Sequence, residues 1–137
     1  MIEKITHSES LIALIIYNNY DQEGIKYFSP WEHPLQLGFM KRPAGYKVDA
    51  HIHNPVKKVA SVTQEVLFIK KGRVRIDFYA SDRSFLESRK LSAGDVVLLA
   101  SGGHGLEVME EAVIVEVKNG PFVEGADKTR FETGKEK

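Results

Sequence analysis

Turn-forming residues recur so often in this chain that no apolar run between them outlasts a short strand, and this spacing limits the fold more than any other feature. Runs rich in Val, Ile, Leu, Phe and Tyr cover residues 11–18, 25–28, 35–42, 46–53, 63–70, 73–79, 84–91, 95–99, 105–108 and 112–118. Clusters at 18–24, 71–72, 80–83, 93–95 and 101–103, built around Gly, Asn, Asp and Ser, supply backbone freedom and local hydrogen bonds for turns. Roughly ten short strands without an amphipathic helix predict an all-β domain, either a sandwich or a barrel.

Alternation then assigns faces. In residues 73–79, Val74, Ile76 and Phe78 fall on one side and Arg73, Arg75 and Asp77 on the other, as in a strand with one wet face. Residues 96–99 are apolar at every position, which predicts cover on both faces. In 112–118, Val113, Val115 and Val117 share one face, while Ile114, Glu116 and Lys118 share the other. Residues 1–131 are read as one domain, and the polar stretch 132–137 as a disordered tail.

The chain has no cysteine, so any metal must be held by nitrogen and oxygen donors. Lys+Arg and Asp+Glu both number 19, a balance that offers no electrostatic footprint for nucleic acid or an anionic membrane. The first apolar run, 11–17, is too short to span a bilayer as a helix and lacks a basic leader, so a cytoplasmic protein is expected.

Five histidines are present, and His51 and His53 stand one residue apart. On a strand such a pair shares a face, but two imidazoles do not complete a site for a divalent ion. Gly45, His51, His53, Glu65 and Gly72 stand in order, with five residues between Gly45 and His51 and six between Glu65 and Gly72. Downstream come Gly94, Ala100, Gly102 and His104. In these two constellations the chain resembles the cupin superfamily, over about residues 35–118. The second motif departs from the family, with Ala100 for a proline and Val108 for an asparagine. The spacer 54–64 is also longer than usual, and leaves Gln64 as an alternative to Glu65.

The resemblance implies a cupin-type double-stranded β-helix, a jelly-roll barrel, with His51, His53, Glu65 and His104 around a divalent Zn, Mn, Fe or Ni ion. It also implies a homodimer paired through N-terminal strands such as 11–17. The ending around Glu116, Lys118, Asp127 and Lys128 is similar to small cupins encoded with polysaccharide genes. A carbohydrate-like small-molecule ligand follows as an expectation, with sugar isomerisation or epimerisation as the leading reaction. A non-enzymatic binding or sensor protein is the second reading, and a metal-dependent dioxygenase the third.

His33, Glu116 and Lys118 are the acid/base candidates. Each has a plainer reading: His33 as a turn residue between two prolines, Glu116 and Lys118 as a solvated surface pair. The Gly102–Gly103 pair is not a phosphate loop, since no Gly-Lys-Ser/Thr follows. Ser101 beside His104 lacks the setting of a hydrolase nucleophile.

Overall fold

In the computed structural model, which describes residues 1–133, alternating apolar runs become eight β-strands: β1 Ile2–His7, β2 Ser10–Ile16, β3 Gly24–Tyr27, β4 Gly38–Lys41, β5 Glu65–Tyr79, β6 Phe85–Ser92, β7 Val96–Leu99 and β8 Gly103–Lys118. The described residues contain no helix, so none crosses a membrane as a helix. All strand pairings are antiparallel. One sheet runs β1-β2-β7-β5-β6 with β8 also paired to β5, and β3 and β4 form a separate hairpin-like pair.

Two pairs of expected strands are fused. Residues 63–70 and 73–79 become the single strand β5, and 105–108 and 112–118 become β8. Gly72 therefore bends a ladder instead of closing a hairpin. Its φ is +84°, and a Cβ placed there would lie 2.0 Å from the Glu111 carbonyl oxygen. Register shifts between Ile69 and Val74 mark the same bend. The N-terminal half of β5 thus joins the wall formed with β7, β2 and β1, and its C-terminal half joins β6.

Curled in this way, the sheet forms a half-barrel with its core between the halves. Leu67, Ile69, Val97, Leu99 and Ile15 meet Val74, Ile76, Phe78 and Leu91 there. Burying each such side chain contributes about 1.5–3 kcal/mol. On the back of β2 and β7, Leu14, Ile16, Leu98 and Ala100 pack under Phe28, Leu35, Leu37 and Phe39. The uniform apolarity of 96–99 has that cause, as expected, because β7 is covered on both sides. Phe78 is core, whereas Phe68, which aromatic propensity would bury, is partly exposed.

Further features of the fold have physical reasons. β1 is an added edge strand; its bulge between Ile5 and Thr6 breaks the alternation that would reveal it. β2, which carries 11–16, lies inside the sheet with β1 and β7 as its neighbours. Residues 46–53 are not a strand: every residue from Arg42 to Thr63 is exposed. Of the expected tail, 134–137 lie outside the described residues.

Candidate functional site

Bending the β5–β8 ribbon at Gly72 brings its two ends together. Glu65, at the start of β5, lies opposite Lys118 at the end of β8, while His104, at the start of β8, lies opposite Phe78 at the far end of β5. Thirteen positions separate Glu65 from Phe78 along one strand, yet the His104 Nε2 sits 3.3 Å from the Glu65 carboxylate. Directly opposed residues of an antiparallel pair share a face. His104, Phe78, Glu65, Leu67 and Lys118 therefore all belong to the concave side.

Gly102 permits this approach. Its φ is +70°, and a Cβ there would stand 2.3 Å from the Tyr79 carbonyl oxygen, so only glycine lets the chain pass so close before β8 begins. This close approach is the work of the glycine pair. The Ser101 hydroxyl donates to the Leu11 carbonyl at 2.6 Å, which occupies it in holding the turn.

The pair is electrostatically supported. Hydrogen bonding from His104 holds the Glu65 carboxyl below the usual carboxylate range, against the opposing effect of burial, with further help from the charges of Lys118 and Lys128. The Lys118 ammonium lies 3.9 Å from Glu65, 3.9 Å from Glu116 and 3.5 Å from Asp127. Asp127 also accepts the Thr63 hydroxyl at 3.1 Å, tying the C-terminal segment to the start of β5.

Gln64 turns the other way and is fully buried. Its side-chain nitrogen donates to the Ala100 carbonyl at 3.2 Å and sits 3.0 Å from the His33 Nδ1, while its oxygen accepts the Leu35 amide at 3.3 Å. Neighbouring residues of an extended chain point to opposite faces, so Glu65, and not Gln64, meets His104. His33 is thereby placed on the Gln64 side, in a structural hydrogen bond. Glu116 and Lys118 stand on the concave face, as the register of β5 and β8 requires, and both are partly exposed.

Beside Glu65 and His104 lies a cavity of about 570 Å³, walled on its far side by Asp127, Lys128, Arg130 and Phe131. Phe131 anchors that segment: its ring meets Tyr79 edge-on at 5.3 Å and packs against Gly103. The sequence places 125–131 within the domain but does not reveal this wall. The available signal was Phe131, the one large apolar residue after Val123.

His51 and His53 do not join the pair. They stand together in the exposed segment, ring centroids 5.2 Å apart, and the His51 Nδ1 lies 2.8 Å from the Asp49 carbonyl. The four residues expected around a metal are thus two pairs. Among the described residues, no group of three or more His, Asp or Glu is arranged to hold an ion. The donor types suit a divalent cation, but this arrangement does not.

Comparison with protein-family models, curated proteins and solved structures returned no match.

Proposed function

We propose that this chain binds a small, hydroxyl-rich, carbohydrate-like molecule in the cavity beside Glu65 and His104. The observation that carries this reading is the meeting of an ionised carboxylate and an imidazole, drawn from opposite ends of a bent ribbon, at the wall of a cavity large enough for a sugar. Glu65 accepts hydroxyl hydrogens, and His104 donates or accepts according to its tautomer. Hydrogen-bonded so closely, the two groups are also suited to passing a proton to or from a bound sugar, the step that isomerisation or epimerisation needs.

A screen of mono- and disaccharides by ligand-observed NMR tests the reading. Binding that weakens about tenfold or more in Glu65→Gln and His104→Ala is expected, from loss of a hydrogen bond to a charged group. Sugars bound equally well by both variants would place the ligand elsewhere.

A divalent metal is part of the same proposal because of one specific observation. With its Nδ1–H directed at the Asp49 carbonyl, His51 keeps the Nε2 lone pair free, the arrangement usual for a metal-ligating histidine. The alternation of Tyr46, Val48 and Ile52 with Lys47, Asp49, His51 and His53 is that of a half-buried strand, and among the described residues β8 pairs only with β5. Pairing of 46–53 with the other edge of β8 is the step a cupin-like metal site requires. Elemental analysis of protein purified without added metal is expected to find a transition ion that His51→Ala loses. A metal-free wild type that still binds sugar would remove the metal and leave the cavity reading standing.

A further inference from the structure

The cavity is not lined evenly, and its polar groups divide into satisfied and unsatisfied sets. Both carboxylates already have partners: Glu65 has the His104 imidazole and Lys118, and Asp127 has Lys118. Lys128 and Arg130 line the same cavity, and neither has an ion pair within 4.0 Å among the described residues. Tyr79 also contributes to the cavity lining; it is only 2% exposed, and its hydroxyl is buried without a hydrogen-bond partner among the described residues. A buried hydroxyl left unpaired costs about 1–3 kcal/mol. Such a group in a cavity wall is a candidate ligand contact.

From these groups we infer that this part of the cavity binds an oxyanion, so that the ligand of the proposed site is an anionic sugar, carrying phosphate or carboxylate, and not a neutral one. Arg130 supplies a planar fork of donors suited to two oxygens of one anion, Lys128 a second positive charge, and Tyr79 a neutral donor within the buried wall. Phe131 fixes the segment through its contacts with Tyr79 and Gly103, and the Arg83 guanidinium stacks over its outer side at 5.5 Å. The C-terminal segment is therefore a specificity element of the site, and the inference rests on the cavity being the binding site.

Calorimetric titration of the full chain with inorganic phosphate, and separately with acetate, tests it at constant ionic strength. Wild type is expected to bind at least one of them with 1:1 stoichiometry. Tyr79→Phe and Arg130→Gln should each weaken that binding about tenfold, as loss of a hydrogen bond to a charged group implies. Tyr79→Phe should melt at or above the wild-type temperature, because the hydroxyl it removes makes no bond in the free protein; a clear drop in melting temperature would show a hidden partner and overturn the assignment. Tighter phosphate binding selects a sugar phosphate, and tighter acetate binding a sugar acid. Anion binding unchanged in both variants, or absent from wild type, overturns the inference. If neutral sugars still bind and still depend on His104, only the anion subsite is lost; if they do not, the cavity reading falls with it.

Discussion

The two long walls of the half-barrel are built to opposite standards. β2 and β7 are sealed on both faces, with Leu14, Ile15, Val97 and Leu98 wholly buried, whereas β8 leaves Val113, Val115 and Val117 about half exposed, at 45%, 48% and 54%. Such a difference separates the source of stability from the source of function. The sealed wall contributes most of the burial, and the open one holds His104, Glu116 and Lys118 where a ligand can reach them.

Gly72 joins the two, so its substitution gives the largest expected effect. Gly72→Ala puts a methyl group 2.0 Å from the Glu111 carbonyl oxygen in a conformation that L-residues resist. Both strands, β5 and β8, are held in a ladder and cannot simply move aside. A loss of about 4 kcal/mol is expected in urea unfolding, from left-handed strain added to overpacking. Loss of sugar binding should accompany it, because the bend is what brings His104 to Glu65. A stable, binding-competent Gly72→Ala would mean that the ribbon ends meet by some other route.

Next in size is the sealed wall itself. Leu98→Ala removes a fully buried side chain between β7 and the layer carrying Phe28, Leu35 and Leu37, for an expected cost of about 3 kcal/mol in the same assay. Binding in the cavity should survive this change at temperatures where the variant stays folded, because Leu98 and Leu99 point to opposite faces and only Leu99 lines the cavity.

The sealed side was the legible one. Apolar runs such as 96–99 announce double cover, and Val74, Ile76 and Phe78 announce a core face, because burial leaves its period in the residues themselves. The six-residue spacing to Gly72 favours Glu65 over Gln64, and Glu65 is the residue that meets His104. What could not be read is where separate segments meet. Lys71-Gly72 is as good a signal for a hairpin as for a bent ladder, and the choice depends on β8, some forty residues away. The wall formed by 127–131 was hidden because nothing in its mostly polar residues says which part of the domain it covers until Phe131 finds Tyr79. Residues 46–53 carry the alternation of a strand but are exposed throughout, and composition cannot tell a paired strand from an unpaired one.

A smaller effect ties β1 to the closed side. Glu3 accepts the Tyr17 hydroxyl at 2.7 Å and takes the Arg89 guanidinium at 2.7–3.1 Å. Bonding to Arg89 holds the Glu3 carboxyl below its ordinary range, while burial, aided by Glu3, pushes Tyr17 up to about 12. The signs differ. Glu3 stabilises the fold fully above the ordinary carboxylate range, and that contribution is lost as pH falls through its lowered value. Tyr17 stabilises it fully below pH 10.0, its ordinary value, and the contribution is lost as pH rises towards 12. The urea midpoint should therefore decline at both extremes. Tyr17→Phe should cost about 1–2 kcal/mol at neutral pH and remove much of the alkaline decline. An unchanged alkaline limb would show that another group sets it.

The smallest expected change tests the open wall most directly. Val115 lies on the outer face of β8 opposite Phe68, where both side chains are partly exposed. Val115→Thr keeps the shape and β-branching and replaces one methyl with a hydroxyl, so at a solvent-facing site it should shift stability by less than about 0.5 kcal/mol. At a covered site the same hydroxyl would be buried without an arranged partner, at a cost of about 1–3 kcal/mol. The size of this one change thus reports whether the valine face meets water. If the loss is large and grows with protein concentration, a second copy covers the face. If it is large and independent of concentration, the cover comes from the chain itself, and the exposed, strand-patterned residues around His51 and His53 are the segment with the right alternation to supply it.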